Sequence, residues 1–129
     1  MPLTSDLVRS TYDTIASATI RTPLVRATRL SLQLGIDLFL KIDNLQHTNA
    51  RGALAKLLSL SDAEKAAGVI ACSAGNHAQG VAFHATRLGI TSTIVLPERT
   101  PFNKIQQTED FGAKVIRHGT GFDDGVQFT

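Results

Sequence analysis

Three short apolar runs, residues 68–72, 91–96 and 113–117, are separated by two helix-length segments, residues 77–88 and 101–111. The runs are rich in Val and Ile and too short to be helices. Each intervening segment shows helical spacing and closes on a glycine, Gly89 or Gly112. A β-α-β-α-β order of this kind specifies a parallel sheet, because each strand must be carried back to the same end by a crossover helix. Parallel strands are buried on both faces, so helices are expected above and below them. The fold class is therefore α/β, a partial three-layer αβα arrangement.

The remainder of the chain reads in the same terms. Ser5 and Asp6 mark a helix start, with Leu7, Val8, Thr11, Tyr12 and Ile15 at helical spacing. Thr22-Pro23 opens an extended stretch. Thr28 is placed to cap a short helix that Gly35 ends. Residues 38–42 read as a strand, 43–49 as a polar loop and 52–60 as an Ala/Leu-rich helix. Ser61 with Glu64 three residues on forms a capping box for one further turn. Thr100-Pro101 reads as a cap with proline at the first helical position. From Gly119 the tail begins another helix. The chain is expected to be one incomplete domain over 1–129, without an internal boundary.

Composition narrows the function classes. Hydrophobic residues make up 43% and charged residues 19% of 129, with a net charge of +2 in mixed signs, a profile that suits a globular core rather than a nucleic-acid surface. The single cysteine, Cys72, excludes an internal disulfide and a CxxC metal site. No signal-peptide pattern opens the chain and no apolar run approaches a membrane span. A cytoplasmic protein that binds neither nucleic acid nor membrane is expected.

The segment with chemical content is Ala71-Cys72-Ser73-Ala74-Gly75-Asn76-His77-Ala78-Gln79-Gly80. A strand runs through a turn of small residues directly into a helix. Gly75 is expected to supply backbone geometry closed to other residues, while Ser73 and Ala74 leave room above the turn. The first N–H groups of the helix lack intrahelical acceptors and carry the positive end of its dipole. Such a turn is suited to a carboxylate or phosphate, and Asn76 to a phenolate-type oxygen. An ordinary strand-to-helix turn is the competing reading.

The run from Ser73 to Gly80 resembles the Ser-x-Gly-Asn-His-x-x-Gly signature of threonine dehydratases and serine racemases, which are fold-type II (tryptophan synthase β-like) pyridoxal-phosphate (PLP) enzymes. It is less similar to the Thr-Ser-Gly-Asn-Thr-Gly of cysteine synthases. Other family segments are resembled in order by Thr22-Pro23-Leu24, by the run from Leu40 to Gln46, by Arg51-Gly52-Ala53, by the run from Leu96 to Pro101 with Lys104, and by Phe111-Gly112-Ala113. The resemblance implies PLP-dependent β-elimination of a hydroxy amino acid to a 2-oxo acid and ammonia, or serine racemisation, in amino-acid metabolism such as isoleucine biosynthesis. It implies that Ser73, Ala74, Gly75, Asn76 and His77 grip the substrate carboxylate and that Asn76 contacts the cofactor ring. A small amino acid is the implied partner, with a second copy or a family member as a possible companion chain.

Two departures qualify what the resemblance implies. The family reads approximately Gln-x-Thr-Gly/Asn-Ser-Phe-Lys-x-Arg-Gly-Ala where this chain has Gln46-His47-Thr48-Asn49-Ala50-Arg51-Gly52-Ala53. Alignment removes Ser-Phe-Lys between Asn49 and Ala50, and with it the Schiff-base lysine that anchors PLP and moves a proton at the substrate Cα. Lys41 and Lys56 read as structural or surface lysines, so no catalytic residue is assigned. Family catalytic domains are also roughly twice this length or more, and the glycine-rich loop for the PLP phosphate is missing. A non-catalytic carboxylate-binding module and a truncated remnant therefore stand beside the dehydratase reading.

The remaining titratable residues read blandly. His47 is expected on the surface, without metal-ligand spacing. His77 caps or lines the site, and His84 is expected on the surface or half-buried. Cys72 reads as a small core residue, and Asp123 and Asp124 as solvated carboxylates at a frayed end. No metal site is expected.

Overall fold

A computed structural model describes residues 2–48 and 50–129. The chain divides into two compact units, Met1–Asn49 and Ala50–Thr129.

In the first unit, helix α1 (Ser5–Ile15) is capped by Thr4, whose Oγ1 accepts from the Leu7 N–H at 3.2 Å. The cap thus precedes the Ser5-Asp6 pair that marks it in the sequence. Strands β1 (Leu24–Arg26) and β2 (Phe39–Lys41) pair antiparallel, with Val25 opposite Leu40. Between them α2 (Thr28–Leu34) begins at Thr28 rather than being capped by it, since Ala27 holds the cap position and no side chain closes it. Gly35 ends α2 in the left-handed region at φ +67°, a conformation glycine adopts without steric cost. Every residue of β1 and β2 is exposed. Two strands alone are marginal in water; the buried residues of this unit are Ile15, Thr22, Ser31 and Thr48.

The second unit holds the parallel sheet. Strands β3 (Val69–Cys72), β4 (Ser92–Leu96) and β5 (Lys114–Arg117) lie in that order, with Ile70 opposite Thr93 and Ile94 opposite Val115. Helix α5 (Asn76–Arg87) links β3 to β4, and α6 (Phe102–Asp110) links β4 to β5. Ala78, Val81 and Ala82 of α5, and Ala53 of α3 (Arg51–Leu58), form one cluster with Ile94 and Leu96, joined by Ile105 of α6. Alternation puts Cys72 and Val95 on the opposite face. There α7 (Phe122–Phe128) brings Gly125 so close that an added Cβ would lie 2.5 Å from Cys72 Sγ and 3.5 Å from Val95 Cγ1. Helices therefore cover both faces, the three-layer α/β arrangement that the strand order requires.

Local chemistry sets the helix ends. Ser61 and Glu64 form the expected capping box of α4 (Asp62–Ala67), with Ser61 N–H donating to Glu64 Oε2 at 2.7 Å and Glu64 N–H to Ser61 Oγ at 3.3 Å. Helix α6 starts one residue later than expected. Pro101 is its cap residue, with ψ 139°, because an extended residue at that point turns the chain out of the Leu96-Pro97 exit. Gly112, at φ +90°, leaves room for Thr86, whose hydroxyl donates to Phe111 O at 2.7 Å; an added Cβ would come within 2.5 Å of Thr86 Oγ1.

The expectation for the acidic tail is corrected at Asp124. Its Oδ2 accepts from the N–H groups of Thr120 (2.7 Å) and Gly121 (3.1 Å) and from the Thr120 hydroxyl (3.1 Å). It closes the first turn of α7 instead of lying free. These bonds, the Thr120 N–H first, hold its carboxyl below the ordinary carboxylate pKa of 3.8. A depressed folded-state pKa gives stability that is present above the unfolded value and is lost as pH falls through the folded one. The Cα shifts of residues 122–128 are therefore expected to move toward coil on acidification below the carboxylate range. Asp124→Ala is expected to show the coil-like shifts already at neutral pH, and an acid transition of unchanged size in that variant would refute the assignment.

Candidate carboxylate-binding loop

Sheet pairing fixes the first residue of the loop. The Ser73 N–H donates to Val95 O at 3.2 Å, so β3 stays tied to β4 until the chain leaves the sheet. Ser73 Oγ then accepts from the Gly75 N–H at 3.3 Å, a local turn that aims the chain into α5. The helix begins at Asn76, with Gly75 in the cap position and no capping side chain. Its first-turn N–H groups thus lack the usual side-chain acceptor, and they stand at the carboxyl end of a parallel strand, where open α/β sheets bind ligands.

Ser73, Ala74, Gly75, Asn76 and His77 lie together on this turn. Ser73 and Ala74 are half-buried, and Gly75, Asn76 and His77 are exposed. Immediately behind them Ala78 is 1% exposed and Gly80 is buried. The turn therefore presents its N–H end to solvent while the same helix anchors in the core one residue later.

Gly75 requires a correction. Its φ of −129° and ψ of −155° are extended backbone, open to any residue. An added Cβ would meet nothing within 4 Å. Neither backbone strain nor packing calls for glycine here; its place is the cap position of α5, where glycine is well tolerated.

A model of the pyridoxal-phosphate dependent enzymes matches residues 15–129. The chain belongs to that family. It is 40% identical over 129 residues to the catabolic L-threonine dehydratase TdcB of Escherichia coli K12, covering 98% of this chain and 39% of that protein. Among solved structures, the processed form of threonine deaminase isoform 2 from Solanum lycopersicum matches with a TM-score of 0.82 and 35% identity over 95% of this chain and 38% of its own. Maize serine racemase matches with a TM-score of 0.89 and 29% identity over 95% of this chain and 38% of its own. The fold is that of fold-type II PLP enzymes, and the chain spans about two fifths of the length of these relatives.

The side chains that a PLP enzyme needs can be located within each unit. Asn49, at one side of the expected Ser-Phe-Lys gap, lies outside the described residues. In the first unit, Lys41 Nζ donates to Thr22 O at 2.6 Å and to Thr22 Oγ1, and lies 3.3 Å from Asp43 Oδ1. Thr22 Oγ1 in turn donates to Asp43 at 2.6 Å. This ammonium is occupied in tying β2 to the buried Thr22 and is not a free amine. In the second unit, Lys56 is exposed on α3 and lines a cleft of about 170 Å³ with Leu57, Val69, Val81 and His77. The cleft is otherwise apolar and supplies no phosphate cradle. Among the described residues, neither lysine stands as a free amine beside the Ser73–His77 turn to anchor PLP covalently.

The other candidates separate clearly. His84 is 5% exposed, edge-on to Phe83 at 5.0 Å between ring centroids, which corrects its expected surface or half-buried position. It lies on the inner face with Ala85 and Val81, one and three positions away, because α5 is covered on more of its circumference than a surface helix. Cys72 is half-buried, and burial raises its thiol pKa, the opposite of an activated thiolate. His47 is exposed. Among the described residues no three His, Cys, Asp or Glu side chains gather to hold a metal, and no helix is long and apolar enough to cross a membrane.

The packing role of Gly80, behind the turn, escaped sequence reading. An added Cβ at Gly80 would lie 2.5 Å from Ala50 Cβ and 3.1 Å from Ala50 O. Gly80 therefore sets how closely the residue leading into α3 crosses α5. The available signal was the run of small residues Ala78, Gly80, Ala82 and Ala85 along one helix. Their spacing shows a close contact without naming its partner.

Proposed function

We propose that this chain is a threonine/serine dehydratase homologue that retains the amino-acid carboxylate loop and does not itself carry out PLP-dependent elimination. The observation that carries this reading is the pairing of an exposed, uncapped α5 N-terminus behind Gly75 with the absence of an anchor lysine between Thr48 and Arg51. In relatives of full length the reaction is β-elimination of a hydroxy amino acid, and PLP supplies the electron sink for the carbanion. In this chain Ser73 through His77 would hold a carboxylate and Asn76 would face the ring position. The residues from 1 to 129 correspond in this reading to the N-terminal portion of the catalytic domain. Serine racemisation is the second family chemistry compatible with the same loop.

Magnitudes set the expected affinity. A helix terminus contributes about 0.3–1 kcal/mol to a surface anion, whereas micromolar binding needs about 8 kcal/mol. The loop alone therefore binds an amino acid only weakly, and tight binding requires contacts from elsewhere.

The test is direct. Purified chain incubated with PLP and borohydride is expected to give no stoichiometric lysine adduct, and threonine is expected to give no 2-oxo acid. A single lysine labelled in stoichiometric amount would overturn the loss of the anchor. Amide shifts at Gly75, Asn76 and His77 on titration with serine or threonine are expected, and their absence at saturating amino acid would reject the retained carboxylate site.

A further inference from the structure

Main-chain pairing of β1 with β2 stops at a proline. The ladder covers Leu24 to Arg26 against Phe39 to Lys41. One further bond runs from the Ile42 N–H to Pro23 O at 3.1 Å, but Pro23 has no N–H to return. Beyond that point side chains carry the contact. Lys41 Nζ donates to Thr22 O at 2.6 Å and to Thr22 Oγ1, which itself donates to Asp43 Oδ1 at 2.6 Å. Thr22 is 5% exposed, and buried polar groups need such partners. Two residues upstream, both main-chain groups of Ile20 meet one side chain. The Ile20 N–H donates to Gln46 Oε1 at 3.0 Å, and Gln46 Nε2 donates to Ile20 O. A carboxamide offers an acceptor and donors in one plane, as a peptide group does, so Gln46 docks on Ile20 as a strand residue would.

We infer that Ile20 to Thr22 form a strap that holds the polar loop from Asp43 to Gln46 in one form without a ligand, with Lys41 and Gln46 as its positioning residues. Fixing an exposed loop costs backbone entropy at every residue, and a single exposed hydrogen bond offsets little of it. Attachment at Asp43 and again at Gln46 leaves only Asn44 and Leu45 between fixed points. Asp43–Leu45 form a single 3-10 turn, closed by the Gln46 N–H donating to Asp43 O at 3.1 Å, which takes up those two residues. The loop is therefore a preset element, not a lid that folds over a ligand. All of these contacts lie within the first unit, so the strap is independent of the carboxylate reading of Ser73 to His77.

The experiment follows amide exchange residue by residue in the full chain without a ligand. The Ile20 and Gln46 amides are expected to be protected. Gln46→Ala removes the acceptor of the Ile20 N–H and is expected to speed exchange there by about tenfold, the scale of one hydrogen bond. Thr22→Val keeps the shape of the side chain without its hydroxyl and is expected to speed exchange at Gln46, because Asp43 loses its Thr22 donor. Thr22→Ser keeps the hydroxyl and is expected to restore the slow rate. The Ala27 amide, bonded to Leu38 O at 2.9 Å, reports the hairpin itself and should be unchanged in all three variants. An Ile20 amide that exchanges at the unstructured rate in the parent chain overturns the inference. So does equal acceleration at Ala27 and Ile20, since the side chains would then hold the whole hairpin and not the loop. Equal behaviour of Thr22→Val and Thr22→Ser would remove the hydroxyl from the strap and overturn it likewise.

Discussion

Ile94→Ala is expected to lower the stability of residues 50–129 by about 4 kcal/mol, within the 2–5 kcal/mol usual for such a buried truncation. Ile94 is fully buried in the central strand, between Ala71 and Val115 of its two neighbours. Its side chain faces the cluster of Ala53, Ala78, Val81 and Ala82. Those residues are already small and lie on rigid helices, so they cannot close a cavity by rotating into it. Small domains have about 5–15 kcal/mol of total stability, and this one leaves many large apolar side chains exposed. A loss of this size is expected to leave a substantial unfolded population at room temperature. Urea unfolding followed by circular dichroism measures it, with Ile70→Ala as the control at an exposed position of the same sheet. Equal midpoints for the two variants would contradict the placement of the core.

Gly80→Val is expected to cost about 3 kcal/mol, at the upper end of ordinary overpacking. The first added carbon already falls 2.5 Å from Ala50 Cβ, far inside van der Waals contact, and valine adds two methyl groups beyond it. Either α5 shifts or the residue leading into α3 is pushed away. The effect on the carboxylate loop should be distinct from that of Gly75→Ala, whose Cβ meets open space. Gly75→Ala should leave the melting midpoint unchanged and weaken amino-acid shifts at the turn. Gly80→Val should lower the midpoint by about 10 °C, given a few degrees per kcal/mol for a chain of this size. Adding Ala50→Gly to Gly80→Val removes one side of the clash and is expected to recover part of the loss. Additive behaviour of the pair would show that the two positions do not touch.

Much of this molecule is legible in its amino-acid order because local chemistry and global architecture agree. The short apolar runs read at 68–72, 91–96 and 113–117 are strands, each found to begin one residue later. The helix-length segments between them force those strands to be parallel, and Gly35 and Gly112 mark turns at positive φ. The Ser61–Glu64 box is a three-residue relation that needs no tertiary context. The loop from Ser73 to His77 was equally visible, since its composition is unusual for a connection and all its parts are contiguous. Membership of the PLP enzyme family followed from the same stretch and from matches spread over the chain.

Other features depend on what is opposite in space. His84 and His77 lie seven residues apart and so on nearly the same side of α5, yet one is buried and the other exposed, because His77 stands in the first turn at the helix end and His84 two turns further along. Asp124 looked solvated until the turn at Thr120 and Gly121 brought two N–H groups to its carboxylate. Gly75 looked like a conformational necessity, whereas the structure gives it an ordinary extended backbone and open space. The reverse holds for Gly80, legible in the sequence only as the last position of the signature, where the Ala50 contact leaves no room for a side chain.

The sequence by itself determined the α/β class, the strand order's parallel sense and the family, all properties of residue type and spacing along the chain. The tertiary structure alone decided which small residues are close contacts and which lysines are already engaged. Those depend on distances between residues far apart in the chain, and chain order carries no record of them until the sheet brings its strands together.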